Sequence, residues 1–228
     1  MTTSSNGATL QEVRIPAGPA WLYGDLGLPP DPAGLVLFAH GSGSGRHSAR
    51  NRQVARSLEK VGFATLLFDL LTLEEERVDI RTREHRFDIA LLTRRMETAV
   101  AWARTQDLTR HLPLGLFGAS TGSAAALIAA AQLGRHVQAV VSRGGRPDLA
   151  GPAALAEVSA PTLLIVGGAD TAVLALNEDA LQRLRCPKEL AIVPGATHLF
   201  EEPGALERVA ELAAGWFQRH LHGAKHPA

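Results

Sequence analysis

Cysteine, net charge and long apolar runs are all scarce in this 228-residue sequence, and each shortage removes a class of protein. The one cysteine, Cys186, cannot close an internal disulfide, which excludes a secreted fold built on disulfides and equally a CxxC metal or redox site. It precedes Pro187 between a helical and a strand-like pattern, a place for a small packing residue. Lys plus Arg and Asp plus Glu each total 23, so the zero formal charge gives no pull toward nucleic acid or an anionic membrane. No stretch reaches the ~18 uninterrupted apolar residues of a membrane span. Met1 to Ala8 is too polar for the apolar centre of a secretory signal. The expectation is a cytoplasmic protein without a nucleic-acid or membrane partner.

What the sequence does have is apolar residue content of 46%, enough for one α/β domain with a sizeable core. There is no internal repeat and no long linker. Residues 1–9 and 222–228 read as loose tails around a single domain, 10–221. Within it, short apolar runs alternate with helical patterns, which implies βαβ units and a mostly parallel sheet. About eight strands are expected: 12–15 and 20–26 as an antiparallel edge hairpin, then 35–39, 63–68, 113–117, 137–141, 162–166 and 189–193. Helices are expected over 49–61, 86–104, along the alanine-rich run behind Gly122 to Leu133, and over 204–221. Arg77, Arg81, Arg83 and Arg86 are interleaved with Glu74, Glu75, Glu76, Asp79 and Glu84, which reads as a solvated face laced with ion pairs. This stretch, 74–86, is the longest irregular insertion and the candidate for an active-site flap.

Three segments carry chemistry. Gly118-Ala119-Ser120-Thr121-Gly122 fits G-x-S-x-G, with an apolar strand before it and an alanine-rich helix after it. A nucleophilic serine needs small neighbours there, because the chain must turn sharply from strand to helix to lift the hydroxyl out. The next N–H, that of Thr121, would then face a developing oxyanion, aided by the helix N-terminus. His198 lies in a loop after the last strand, where parallel sheets place their functional residues. Asp170 ends LLIVGGAD after the preceding strand and is the candidate to orient and stabilise the imidazole. Asp148 is the rival acid, and a helix N-cap is the bland alternative for both carboxylates. The order Ser, Asp, His is that of the α/β-hydrolases.

The remaining histidines read as surface residues, apart from His40. The tail pattern His220-x-His222 with His226 lacks a carboxylate or cysteine partner, so no metal site is expected. His40-Gly41-Ser42-Gly43 follows the first long parallel strand, where this architecture takes its second oxyanion N–H; Ser42 is the candidate donor and His40 a scaffold beneath the loop. A phosphate cradle is a poor fit. The loop lacks a Gly-Lys-Ser/Thr ending, and Arg46 stands where G-x-G-x-x-G needs its third glycine.

From about residue 12 to 221 the chain resembles the dienelactone hydrolase-like branch of the α/β-hydrolases. The resemblance is carried by HGSGSGRHS (40–48), LLFDLLTLEEE (66–76), FGASTG (117–122), VSRGGRPDLA (141–150), LLIVGGAD (163–170) and PGATHLFEEPGAL (194–206). It implies an α/β-hydrolase fold with helices on both faces, and a catalytic Ser120, Asp170 and His198. Similar domains are in some proteins fused to a phosphoribosyltransferase-like domain, for which no segment is read in these residues. Dienelactone hydrolases carry cysteine where this chain has Ser120, so the implied activity is cleavage of carboxylic esters through an acyl-enzyme. Only about twenty residues separate the strands near 140 and 164, leaving no room for a cap domain and implying a shallow site for compact acyl groups. Arg143 and Arg146, in a Gly-rich turn, are candidates to bind an anionic substrate. No cofactor is expected. The partners expected are a small-molecule ester and, at most, a second copy of the chain. The competing readings are a thioesterase or acyltransferase with the same residues, and a non-catalytic binding module on the fold.

Overall fold

The computed structural model describes residues 2–3 and 8–221. Eight strands and a two-residue edge strand form one sheet, accompanied by seven helices, six of which contribute buried residues to the cores on its two faces while α2 contributes none. The strands are β1 (Thr2–Thr3), β2 (Thr9–Ala17), β3 (Ala20–Leu28), β4 (Gly34–Ala39), β5 (Phe63–Phe68), β6 (Leu114–Ala119), β7 (Ala139–Arg143), β8 (Thr162–Gly167) and β9 (Lys188–Val193). Their spatial order is β1-β2-β3-β5-β4-β6-β7-β8-β9. Pairing is antiparallel from β1 to β3 and between β3 and β5, and parallel everywhere else. The helices are α1 (Ala49–Lys60), α2 (Leu73–Thr82), α3 (Ile89–Ala103), α4 (Thr121–Leu133), α5 (Gly151–Glu157), α6 (Thr171–Arg183) and α7 (Ala205–His220).

The period-two alternation of the central strands builds two cores at once, because successive side chains leave a strand on opposite faces. Leu35, Leu37, Leu116, Val140 and Leu164 pack under α3, α4, α5 and α6. Val36, Phe38, Phe117, Val141 and Ile165 pack under α1 and α7, where Trp216 and Phe217 are fully buried. The loops after β4 and β6 diverge at the switch point of the strand order, and a crevice forms there between the carboxyl ends of adjacent parallel strands.

The sequence reading needs three corrections. Thr2–Thr3, inside the expected tail 1–9, pair with β2, giving its edge backbone groups partners, Ala8 is buried and Thr9 already opens β2; residues 1, 4–7 and 222–228 of the expected tails lie outside those described. The stretch 74–86 is not irregular, since most of it is helix α2. A capping box closes its start: the Thr72 N–H donates to Glu75 Oε2 at 2.7 Å and the Glu75 N–H to Thr72 Oγ1 at 3.3 Å. Asp79, whose side chain is 3% exposed, then accepts from the His85 and Arg86 N–H groups and from Arg86 Nε at 2.6 Å. Burial alone would raise the Asp79 carboxyl; the bonds from Arg86 and His85 outweigh it and hold the pKa below the ordinary value. Finally, β7 runs two residues further than expected, so Arg143 ends a strand instead of sitting in a turn.

The connection from β7 to β8 holds only a short 3-10 turn (Pro147–Ala150) and α5, and no cap domain covers the strand ends. Among the described residues no helix is long and apolar enough to cross a membrane.

Candidate active site

Ser120 sits at the junction of β6 and α4 with φ 50° and ψ −122°, a left-handed region that non-glycine residues rarely occupy. The geometry is imposed from both sides. The Ser120 N–H donates to the Arg143 carbonyl at 3.2 Å, and the Ser120 carbonyl accepts from the Arg146 and Ser123 N–H groups. The two glycines of the motif are steric requirements. A Cβ at Gly118 would lie 2.4 Å from Ser123 Cα, and one at Gly122 would lie 2.4 Å from the carbonyl oxygens of Ala39 and His40. Thr121 opens α4, so its N–H has no intrahelical acceptor.

Two further loops reach the same point. Gly167 lets the loop after β8 lie against the loop after β9, since a Cβ there would be 2.3 Å from the Ala196 carbonyl oxygen. The Ala169 N–H donates to that carbonyl, and Gly168 donates to Val193. Phe200, buried with φ 56°, pins the far side of the second loop. The result places His198 Nδ1 2.7 Å from Asp170 Oδ2 and His198 Nε2 3.3 Å from Ser120 Oγ. The imidazole is 38% exposed and the carboxylate 15%, so the base faces solvent while its partner is screened. Asp148, the rival acid, is engaged elsewhere: its oxygens accept from Arg146 Nε and Nη2 at 2.8 and 2.7 Å. The Arg146 guanidinium accordingly holds the Asp148 carboxyl below its usual range.

The loop after β4 passes directly beneath the serine, and a Cβ at Gly41 would be 3.2 Å from Ser120 Cβ. His40 is buried under this loop. Its Nε2 accepts from the Leu70 N–H at 3.0 Å, so Nδ1 carries the proton and donates to the Gly41 carbonyl at 2.9 Å. Burial, only partly offset by the Gly41 carbonyl and Asp69, pushes the His40 pKa below its ordinary value and keeps the ring neutral. Asp69 clamps the other end of the loop through the Arg46 N–H at 2.8 Å and Arg46 Nη1 at 3.2 Å.

A cleft of about 200 Å³ opens over Ser120 and His198, walled by Ser42, Ser44, Arg50 and Arg143 among others. Arg146 does not line it. Sequence reasoning passed over Arg50 and Asn51, which enter the site from the first turn of α1. A buried Asn on an otherwise apolar helix face was the signal available for Asn51. His222 and His226 lie outside the described residues.

A model of the "Alpha/beta hydrolase domain" family matches residues 32–212. The chain belongs to the α/β-hydrolases and, within them, to the dienelactone hydrolase-like family. It is 56% identical to a dienelactone hydrolase from Anabaena variabilis ATCC 29413, covering 95% of this chain and all of that one with a TM-score of 0.93. Est1E from Butyrivibrio proteoclasticus has the same fold at 17% identity, with a TM-score of 0.77 over 91% of this chain and 98% of that one. Two curated proteins from Mycobacterium tuberculosis strains CDC 1551 / Oshkosh and ATCC 25618 / H37Rv, provisionally named phosphoribosyl transferases, are 58% identical over 213 residues, 93% of this chain. The chain spans 47%, about half, of the length of those relatives.

Proposed function

We propose that this chain is a serine hydrolase that cleaves carboxylic esters with compact acyl groups through an acyl-enzyme. The observation that carries the reading is the unbroken relay from Ser120 Oγ through the His198 ring to Asp170 Oδ2, with contacts of 3.3 and 2.7 Å. Asp170 accepts the Nδ1 proton, which leaves Nε2 as the acceptor for the serine proton. Ser120 Oγ attacks the ester carbonyl as His198 Nε2 takes its proton. The oxyanion rests on the N–H groups of Thr121 and Ser42, the first at a helix N-terminus and the second in the loop beneath the serine. His198 returns the proton to the departing alcohol, then takes one from water, whose oxygen attacks the acyl carbon, and finally gives that proton to Ser120 Oγ as the acid departs. The open cleft and the absence of a cap domain support a compact acyl group.

The test is covalent labelling and turnover together. A fluorophosphonate probe should label the wild type on Ser120, and short-chain p-nitrophenyl esters should be hydrolysed. Ser120→Ala should lose labelling and about a thousandfold or more in kcat. A folded wild type that neither labels nor turns over would return the chain to the binding-module class.

A further inference from the structure

His198 stands on a segment that packing does not hold. Thr197 and Leu199 are exposed and His198 is partly so, between the buried Ala196 and Phe200. Among the described residues, the only backbone hydrogen bond made by 197–199 runs from the Phe200 N–H to the Thr197 carbonyl at 3.2 Å. The backbone enters the left-handed region on both sides, at Gly195 with φ 72° and at Phe200 with φ 56°.

A side chain closes the segment. Glu202 Oε1 accepts from the Thr197 N–H at 3.0 Å and from the Thr197 hydroxyl at 2.6 Å, a length typical of an O–H bond to a charged acceptor. The Thr197 hydroxyl and, after it, the N–H groups of Glu202 and Thr197 hold the Glu202 carboxyl below its ordinary value, so it is charged at neutral pH. Glu202 Oε2 is buried without a partner. Every side-chain hydrogen bond of Glu202 among the described residues thus goes to the residue before His198. Its carbonyl accepts from the N–H of Ala205, the first residue of α7, at 3.0 Å. That helix buries Leu206, Val209 and Ala213 in the core, so the clasp has a rigid anchor.

We propose that Glu202 is a positioning residue, whose clasp on Thr197 closes residues 197–202 into a ring and holds the His198 imidazole between Asp170 and Ser120. This rests on the ester-hydrolase reading above and concerns the base of that site. Glu202 does not line the cleft over Ser120, and no proton passes through it. The relay leaves little slack: His198 Nε2 is already 3.3 Å from Ser120 Oγ, and a further displacement of about 1 Å costs about a hundredfold in rate.

The test is a set of variants at the two ends of the clasp. Glu202→Ala should lower kcat on p-nitrophenyl butyrate by about ten- to a hundredfold, with KM within about threefold of wild type. Glu202→Gln, whose Oε1 can accept the same two bonds, should recover most of that loss. Thr197→Val, which keeps the N–H and loses the hydroxyl, should lose part of the rate, and Thr197→Ser should recover it. The double variant Glu202→Ala/Thr197→Val should be no slower than Glu202→Ala alone, since the two changes break one interaction. Glu201→Ala is the control: it removes only an exposed ion pair with Arg50 at 3.2 Å and should stay within a few-fold of wild type. If Glu202→Ala does not fold, the Thr197 pair carries the test. A wild-type kcat in Glu202→Ala, a change in KM alone, or a Glu202→Gln as slow as Glu202→Ala overturns the proposal; the last would assign the effect to the charge and not to the bond.

A wild type without turnover or labelling instead overturns the hydrolase reading, and the titration of the His198 ring, followed by NMR, then decides the clasp. A ring drawn away from Asp170 loses part of the stabilisation of its charged form, so Glu202→Ala should titrate about half a pH unit or more below wild type, and Glu202→Gln close to wild type. The same titration in wild type and Glu202→Ala, or an equal shift in both variants, overturns the positioning role.

Discussion

His198 Nδ1 lies 2.7 Å from Asp170 Oδ2, while Asp148, the other carboxylate at a strand end, is tied by two hydrogen bonds to Arg146. The two aspartates looked alike in sequence, each a few residues beyond an apolar strand. The loops separate them: backbone bonds from Gly168 and Ala169 hold the Asp170 loop against the loop of His198.

The first prediction therefore concerns the two acids. Asp170→Asn should lower kcat for p-nitrophenyl esters by about a thousandfold to ten-thousandfold, because the amide no longer fixes the ring tautomer or stabilises the imidazolium. Asp148→Asn should leave the rate within a few-fold of wild type and cost less than about 1 kcal/mol of stability, since its pair with Arg146 is partly exposed. Comparable losses in both variants would remove Asp170 from the proposed mechanism.

The second prediction separates crowding from backbone strain. At Gly122 an added methyl would meet two backbone carbonyls at 2.4 Å, and neither can swing away as a side chain would. Gly122→Ala should cost about 3 kcal/mol or more and abolish fluorophosphonate labelling. Gly62 has φ +90° but nothing within 4 Å of an added Cβ. Gly62→Ala should cost only about 1–2 kcal/mol and keep labelling intact. Urea unfolding of both variants checks the order, and equal costs would refute the steric account.

How much of this was legible beforehand depended on how local the signal was. The short apolar strands, the G-x-S-x-G turn and the loop of His198 each announce themselves within ten residues, because burial of both strand faces, glycine demand and strand-end position are local properties. Helix α2 was missed although its capping box, Thr72 to Glu75, was readable; the charge run drew attention away from it. Arg143 was misplaced by two residues, and at a strand end those two residues separate a surface turn from a buried cation. The Arg143–Asn51 contact joins positions 92 apart and leaves no trace in local pattern. Arg146 shows the reverse limit, since its partner Asp148 is two residues away, yet nothing local distinguished a self-contained pair from an open binding group.

The last prediction follows from the buried, neutral His40. Its folded pKa is depressed by burial below the unfolded value of about 6.5. Below that value the unfolded chain binds a proton at this ring that the folded chain refuses, so unfolding becomes more favourable as pH falls. The stability His40 contributes is thus present above about pH 6.5 and is lost on acidification until the folded pKa is passed, with a slope of at most about 1.4 kcal/mol per pH unit. Protonation would also turn Nε2 from acceptor to donor, breaking its bond from the Leu70 N–H and loosening the loop that carries Ser42. His40→Gln, which can still accept that bond, has no such titration. Urea unfolding at pH 7.5 and 5.5 should therefore show the wild type losing more stability than His40→Gln over this interval, whatever their difference at pH 7.5. Parallel losses in the two proteins would mean that the ring is protonated in the folded state, and the neutral scaffold under the serine loop would have to be abandoned.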